Sequence, residues 1–374
     1  GLLNPVTGPI AQYAPGFEDA GKVAIDELNE THSGSYVFEL IIGDSGCDGT
    51  TAATAAQTLI DSGVTAIVGA ACSGATIGAI AVAAPAGVPM ISYASTSPAI
   101  TNVDDNGHLF RVVPSDAQQA VALVDVTSAA GATNPAVLYM TNDYGSGLGD
   151  NFSANWAGEV CTEVGYDPTE GSYNASTLAQ SVIDGNCDSV LLMSYATDGA
   201  AIMEALSAQG FTGTVIGADG VADAAFVDAF TDVQAVGGLI ATRPRPGEKS
   251  DAKAKFEAAY KAAGGADGAI YTGETYDAIK IAAESLVVGG PILASIQQTG
   301  VDYAGASGTH TFDENGDVLI LSWGGTFGSC RSAVESLRDQ GKSVSHVHLR
   351  WISPLPKDLG EIIIKFKNVK RCWC

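Results

Sequence analysis

Two turns that each join a strand to a helix carry small hydroxyl residues where the helix should begin. They are Ala66-Ile-Val-Gly-Ala-Ala-Cys-Ser-Gly-Ala-Thr76 and Pro89-Met-Ile-Ser-Tyr-Ala-Ser-Thr-Ser-Pro98. In a parallel sheet such turns lie together at the carboxyl ends of the strands, where helix-start N–H groups and hydroxyls can hold an anion. We predict a site for a small carboxylate or phosphate, with Ser73 and Thr96 as donors and the carbonyl of Ala94 as acceptor for a cation on the same ligand.

The alternative is that these hydroxyls only cap helices. Ser and Thr cap helix N-termini in proteins of every kind, so neither Ser73 nor Thr96 alone distinguishes a cap from a ligand contact. Two such turns side by side favour a site more than either turn does alone.

The elements that must position these turns alternate between strand and helix, which is typical of βαβ units in a parallel sheet. The first series contains predicted strands at 36–43, 65–69 and 88–93. The second series begins with a strand at 136–140 and a helix at 148–164. The sequence therefore predicts an α/β fold of two doubly wound parallel-sheet lobes.

Two proline-containing segments mark where the chain would pass between the lobes. They are Val112-Val-Pro-Ser115 and Thr242-Arg-Pro-Arg-Pro246, and proline cannot join the middle of a sheet. We predict a first lobe at 1–113 plus 244–310 and a second lobe at 114–243 plus 311–319. A multi-strand hinge would join them, with a cleft between.

Composition and charge narrow the classes of protein. The chain has 374 residues, 46% of them apolar, and no apolar run of the roughly 20 residues that cross a bilayer. Residues 1–319 hold 9 basic and 38 acidic side chains, whereas residues 320–374 hold 9 and 4. An acidic surface repels nucleic acid and membranes, so we expect neither as a partner. We also expect that a secretory signal preceded Gly1.

Four of the seven cysteines lie in the acidic part: Cys47, Cys72, Cys161 and Cys187. Four cysteines allow three pairings, and the shortest loops result when 47 pairs with 72 and 161 with 187. No CxxC motif occurs, so we do not expect zinc.

Other constellations do not indicate catalysis. Gly145-Ser-Gly-Leu-Gly149 lacks the GxGxxG spacing of a dinucleotide site, and His32, His108 and His310 are isolated from any nucleophile. His346 and His348 share a strand face, but no third ligand is near in sequence. The sequence predicts no enzyme activity, no cofactor and no metal.

A run of short motifs resembles a known family. The motifs are Asn4-Pro5, Gly8-Pro9, Gln12-Tyr13, Asp44-Ser-Gly-Cys-Asp48, Cys72-Ser73, Ala94-Ser-Thr96, Asn142-Asp-Tyr-Gly145 and Ala218-Asp-Gly220. Their order resembles that of type I periplasmic binding proteins, in particular the leucine/isoleucine/valine-binding group. The resemblance covers residues 1 to about 318.

The resemblance implies a role for each matching residue. Ser73, Thr96 and the backbone of Ala94 would hold the α-carboxylate and ammonium of an amino acid from the first lobe. Asp219 would contact the ammonium from the second lobe, although an Asp-Gly turn is the structural alternative. The matching aromatic positions, which could instead pack at the rim, are Tyr13, Tyr144 and Tyr195. Glu274 and Tyr276 are weaker candidates. The resemblance also pairs Cys47 with Cys72.

The resemblance further implies a periplasmic, monomeric receptor that delivers a small amino acid, branched-chain or similarly apolar, to the permease of an ABC importer. A sensor module that feeds a signalling partner is the alternative from another class. Either function uses closure of the two lobes around a ligand.

The last residues resemble a different family. From about Leu319 the sequence predicts a βαβα unit with helices at 332–340 and 358–366 and a strand at 344–350. It resembles the C-terminal part of the α subunit of 2-oxoacid:ferredoxin oxidoreductases, without the thiamine and iron–sulfur machinery of those enzymes. We therefore expect residues 320–374 to be of separate origin and to carry no enzyme activity. A joined reading frame, from assembly or cloning, would explain them, and a natural fusion is the alternative.

Overall fold

Short apolar runs separated by helices form two parallel sheets. The computed structural model describes residues 1–244, 247, 249–312, 318–323 and 344–349, the last two ranges as backbone strands. It divides into two units, Gly1–His310 and Thr311–Cys374, which we describe separately.

The first sheet of the larger unit has five parallel strands in the order β2-β1-β3-β4-β5. They are β1 Leu2–Asn4, β2 Ile42–Asp44, β3 Ile67–Val68, β4 Met90–Ser92 and β5 Leu109–Arg111. Strands β1, β3 and β4 are buried along their whole length, as central strands covered on both faces should be.

The second sheet also has five parallel strands, in the order β10-β9-β8-β6-β7. They are β6 Pro135–Met140, β7 Thr162–Tyr166, β8 Ser189–Met193, β9 Thr214–Gly217 and β10 Leu239–Ala241. We call the two sheets with their helices the first and second lobes. They confirm the predicted α/β fold.

Helices cover the sheets. Those that follow strands of the first sheet are α1 Ala14–Thr31, α2 Gly49–Asp61 and α3 Ser73–Ala83. Those of the second lobe are α4 Asp116–Ala129, α5 Asp143–Asn155, α6 Ala175–Asp184, α7 Ala196–Ala208 and α8 Ala224–Asp228. The remaining helices are α9 Asp251–Ala262, α10 Thr272–Val288 and α11 Ile292–Thr299.

The chain returns to the first lobe after β10, because α9 packs on α1 and α10 packs on α1, β3 and β4. A short antiparallel pair, β11 Tyr303–Ala304 and β12 Thr309–His310, closes this unit. This return of the chain to the first lobe agrees with the predicted crossing segment near 242–246. Arg245 and Pro246 of that segment lie outside the described residues. The lobe boundaries at 113 and 244 stay a prediction.

The predicted helix at 148–164 is wrong in its second half. Helix α5 ends at Asn155, and residues 162–166 form strand β7. Trp156 leaves helical geometry with ψ of 122°, and exposure alternates along β7, as expected of an edge strand. The predicted strand at 36–43 is also shorter than expected, since β2 starts at Ile42.

The smaller unit contains two parallel strands, β13 Val318–Trp323 and β14 Val344–Leu349, in continuous register from Val318 opposite Val344. Both strands agree with the predicted strands of this region. The predicted helices at 332–340 and 358–366, the hairpin at 313–317 and the last three cysteines lie outside the described residues.

Two further features concern the described part of the chain. No helix there is long and apolar enough to cross a membrane. Among those same residues, no group of three or more His, Cys, Asp or Glu side chains could hold a metal ion.

Two cysteine pairs lie at disulfide distance. The Cα atoms of Cys47 and Cys72 are 5.2 Å apart, and those of Cys161 and Cys187 are 5.6 Å apart. These are the pairs that the short-loop argument selects. Cys161 precedes β7 and Cys187 precedes β8, so the second bridge ties the amino ends of two strands that flank β6.

Removal of the second bridge should reduce stability. We expect the double variant Cys161→Ser/Cys187→Ser to lose about 3 kcal/mol of unfolding free energy, because the bridge closes a short loop in the unfolded chain. Urea unfolding followed by circular dichroism measures this loss. The same measurement on the unaltered protein with and without reductant is the control, and an unchanged midpoint in both would contradict the pairing.

Candidate functional site

The two hydroxyl-bearing turns lie side by side because buried hydroxyls tie them together. The Oγ atoms of Thr76 and Ser95 are 2.7 Å apart, and the Ser95 hydroxyl donates to the carbonyl of Ala71 at 3.1 Å. The Ser92 hydroxyl donates to the carbonyl of Ala70 at 2.8 Å. The turn after β3 and the turn after β4 therefore form one rigid edge of the first sheet.

Ser73, Ala94 and Thr96 all lie on this edge, but in different settings. Ser73 is the first residue of α3 and accepts a hydrogen bond from the backbone N–H of Ser97 at 3.2 Å. Ser73 and Ala94 line a cavity. Thr96 is 1% exposed and is not part of the cavity wall, and its hydroxyl makes no hydrogen bond among the described residues.

The cavity encloses about 460 Å³, part of it open to solvent, and both lobes line it. Its wall includes all three predicted tyrosines, Tyr13, Tyr144 and Tyr195, together with Asp219. The sequence prediction missed the other residues of the wall: Ile10, Phe17, Ala71, Gly220, Ile270 and Tyr271.

Asp219 follows β9 and is the acid of the cavity. It is 5% exposed, and its two oxygens accept hydrogen bonds from Tyr144 Oη at 2.8 Å and Tyr271 Oη at 2.7 Å. Burial raises the pKa of Asp219, and the two tyrosine hydroxyls oppose that shift. Asp219 is thus more than an Asp-Gly turn residue, since hydroxyls from two separate elements converge on it.

Two tyrosines of the second lobe form one stacked unit. The rings of Tyr144 and Tyr195 are 5.5 Å apart and inclined by 4°. The Tyr144 hydroxyl donates to Asp219 and accepts from the backbone N–H of Gly220 at 3.0 Å. Burial, followed by the charge of Asp219, raises the pKa of both tyrosines, so each stays a neutral donor.

Tyr271 belongs to the site although no motif indicates it. It immediately precedes α10 and has a left-handed backbone, with φ of 60°. Such a conformation is rare for a bulky residue and is held only where the surroundings fix it. The hydrogen bond to Asp219 is one such constraint, and it links the returning segment to the second lobe. A lone Tyr between two helix patterns gives no sequence signal of this role.

Neither of the weaker candidates lines the cavity. Tyr276 donates its hydroxyl to Glu27 of α1 at 2.7 Å. Glu274 lines a separate groove beside α9, and burial raises the pKa of its carboxyl to about 7. The returning segment contributes Ile270 and Tyr271 to the cavity wall, and not Glu274 or Tyr276.

A disulfide restrains the turn that leads into α3. Cys72 is the residue before α3 and lines the cavity, while Cys47 sits before α2. The sulfur of Cys47 lies 3.9 Å from the hydroxyl oxygen of Tyr195. The bridge therefore restrains Ser73 through the adjacent Cys72. Such support keeps a binding loop in position.

The lobes touch along the edge of the cavity, between the turn at 97–98 and α5. Ser97 Oγ donates to the carbonyl of Asp143 at 2.8 Å. A β-carbon added to Gly147 would lie 3.0 Å from Pro98 Cδ and 3.1 Å from Ser97 Oγ. The absence of a side chain at Gly147 thus permits this close approach.

Two parallel-sheet lobes around a cavity lined from both define a two-lobed ligand-binding protein. A family profile described as Periplasmic binding protein matches residues 1–323, and the chain belongs to that family. Its members are extracytoplasmic substrate-binding proteins and are not enzymes.

Individual relatives match most of the chain. Leu/Ile/Val-binding protein BraC3 of Rhizobium johnstonii is 28% identical over 333 residues, 86% of this chain and 89% of that protein. The crystal structure of a leucine binding protein, LivK of Thermotoga maritima, superposes with a TM-score of 0.74 at 27% identity, covering 84% of this chain and 90% of that chain.

A shorter match concerns another kind of protein. The 2-oxoglutarate oxidoreductase subunit KorA of Mycobacterium tuberculosis is 29% identical over 80 residues, which are 21% of this chain and 12% of that protein. So small a part of an enzyme subunit transfers no activity to this chain.

A side chain at Gly147 should hold the lobes apart. We expect Gly147→Val to enlarge the radius of gyration measured by small-angle X-ray scattering, because its methyl groups would meet Pro98 and Ser97. The control is Gly237→Val, since a β-carbon there would come no closer than 3.5 Å to the Gln234 carbonyl. Equal scattering from Gly147→Val and the unaltered protein would contradict the contact.

Proposed function

We propose that this chain is the solute receptor of an ABC importer and that it binds a branched-chain or similarly apolar amino acid in the cavity. The observation that carries the proposal is Asp219, a buried carboxylate in a cavity lined by both lobes. A buried charge needs a partner, and an ammonium group supplies one.

The opposite end of the ligand would be a carboxylate. Helix α3 begins at Ser73, which lines the cavity, and helix N-termini attract anions. The carbonyl of Ala94 and the hydroxyl of Thr96 would add contacts to the ammonium. Ala94 lines the cavity, and Thr96 Oγ1 lacks a hydrogen-bond partner among the described residues, which supports both roles.

The remaining wall favours an apolar side chain on the ligand. Ile10, Tyr13, Phe17 and Ile270 contribute to it, and the pKa of Tyr13 is raised, mainly by burial. A charged side chain would find no obvious counter-charge among these four. The names of the relatives BraC3 and LivK support the same class of ligand.

The relatives BraC3 and LivK favour transport over the sensor module, because both are named as binding proteins. We propose the permease of an ABC importer as the partner, the periplasm as the location and a monomer as the functional state. The family assignment supports the first two.

We further propose that residues after about 320 have a separate origin. The charge balance reverses there, the structure divides between His310 and Thr311, and the family profile ends at residue 323. The short similarity to KorA supports a 2-oxoacid oxidoreductase source. The residues proposed for ligand binding all precede residue 272.

Loss of the charge on Asp219 should weaken ligand binding. We expect Asp219→Asn to lower the affinity for leucine about a hundredfold, roughly 3 kcal/mol, because the ammonium loses its buried counter-charge. Isothermal titration calorimetry measures the change. The ligand-side control is 4-methylpentanoate, which lacks the ammonium and should bind the variant no worse than the unaltered protein.

A matched variant separates charge from stability. Asp188→Asn removes an acid of the same lobe that precedes β8, at the opposite end of the strands, where it accepts bonds from Thr133 and Asn134. It should melt earlier but bind leucine normally. Equal leucine affinity of Asp219→Asn and Asp188→Asn would refute the assignment of Asp219.

Exchange of the C-terminal residues should leave ligand preference unchanged. We expect replacement of residues 320–374 by the terminal strand of a relative to raise the melting temperature, because a strand of the same family would continue the fold of the residues before it. A thermal-shift screen over amino acids measures both properties. A changed order of preferred ligands, or oxidoreductase activity that depends on the exchanged residues, would show a working fusion instead.

A further inference from the structure

A thin wall separates the ligand cavity from a second, larger space. We call this space the α9 groove, and its lining includes side chains of α9 and residues 266–274. It encloses about 1440 Å³, part of it open to solvent, compared with about 460 Å³ for the cavity. Two consecutive residues, Ile270 and Tyr271, line both spaces and therefore form the wall between them.

Both wall residues are held by carboxylates of the second lobe. The backbone N–H of Ile270 donates to Asp223 Oδ2 at 3.0 Å, and the Tyr271 hydroxyl donates to Asp219 at 2.7 Å. The other oxygen of Asp223 accepts from the backbone N–H of Ala225 at 3.0 Å, which fixes this acid at the start of α8. The position of the wall backbone therefore does not depend on the side chain of Ile270.

Ile270 is the part of the wall that closes it without serving the charged end of the ligand. The Tyr271 hydroxyl is committed to Asp219, whereas Ile270 adds only hydrocarbon to the cavity. Its neighbours Gly268 and Ala269 carry too little side chain to close a gap at position 270. A shorter residue at position 270 would therefore connect the cavity with the α9 groove.

The other apolar contacts proposed for the ligand have no such second space behind them. Ile10, Tyr13 and Phe17 line the cavity and are not part of the described lining of the α9 groove. Among the apolar residues of the cavity wall that the structure describes, Ile270 and Tyr271 alone face both spaces. The length of a ligand side chain is therefore controlled at this wall.

The α9 groove offers apolar surface beyond the wall. Phe256 and Tyr260 of α9 line it, with their rings 5.3 Å apart, and both residues are buried. A hydrocarbon chain that enters the groove gains from burial against such rings. Charged side chains of both signs also belong to the described lining, so the groove favours neither sign of charge: Arg243, Lys253, Lys261, Glu257, Asp267 and Glu274.

We propose that Ile270 sets the length of the ligand side chain. Its side chain stops a branched-chain ligand at the wall and excludes amino acids with longer straight side chains, which would otherwise extend into the α9 groove. This inference rests on the proposed function, because it requires an amino acid whose apolar side chain faces the wall. The selection is steric, so it changes the ratio of affinities for short and long ligands.

The experiment compares leucine with 2-aminooctanoate, an unbranched amino acid with a longer side chain, by isothermal titration calorimetry. The unaltered protein should prefer leucine. Ile270→Ala should bind leucine about tenfold more weakly, because the removed methyl groups leave space beside it, and 2-aminooctanoate about tenfold more tightly. The ratio of the two affinities should therefore change about a hundredfold.

A milder variant covers the case in which Ile270→Ala does not fold. Ile270→Val shortens the side chain by one methylene group and should change the ratio in the same direction by about threefold. Circular dichroism checks the folding of both variants. The matched control is Glu257→Ala, which removes an exposed side chain of the groove lining that does not line the cavity and should keep the ratio of the unaltered protein.

The outcomes separate this inference from the proposed function. An unchanged ratio in the folded Ile270 variants, or an equal change in Glu257→Ala, would overturn the inference and leave the proposed function standing. Equal affinity of the unaltered protein for leucine and 2-aminooctanoate would also overturn it. No binding of any amino acid by the unaltered protein would overturn both.

Discussion

The buried carboxylate of Asp219 is the constraint on which the site depends. Its two hydrogen bonds come from Tyr144, on the second lobe, and Tyr271, on the segment that returns to the first lobe. A carboxylate at 5% exposure is costly without such donors, so both tyrosines must be held where they are. The left-handed backbone of Tyr271 and the stacking of Tyr144 on Tyr195 accompany these two hydrogen bonds.

The opposite wall is rigid for a different reason. The hydroxyls of Ser92 and Ser95 donate hydrogen bonds to backbone carbonyls of the turn after β3. The Ser73 hydroxyl accepts a hydrogen bond from the backbone N–H of Ser97. The disulfide partner Cys72 restrains the same turn. A site with one rigid wall and one wall that carries the counter-charge needs only a change in lobe separation to admit and hold a ligand, which suits a binding protein and not a catalyst.

Much of the cavity wall can be predicted from the sequence, because residues that directly follow parallel strands are recognised from the local pattern. Ser73 and Asp219 each follow an apolar run and a turn, and the parallel pattern alone places such residues at one edge of a sheet. Tyr271 follows no strand, and its role depends on the chain returning from the second lobe. The sequence pattern does not predict strand β7, because its residues are only partly buried and directly follow a helical pattern.

The charge of a ligand, and not its shape alone, should decide binding beside Asp219. Burial raises the pKa of Asp219, and the hydroxyls of Tyr144 and Tyr271 oppose that shift, so two neutral donors stabilise the carboxylate without neutralising its charge. An ammonium group would add the positive charge that the two hydroxyls lack. A neutral apolar molecule of the same shape would leave the carboxylate without a counter-charge, and we therefore expect the site to favour a free amine.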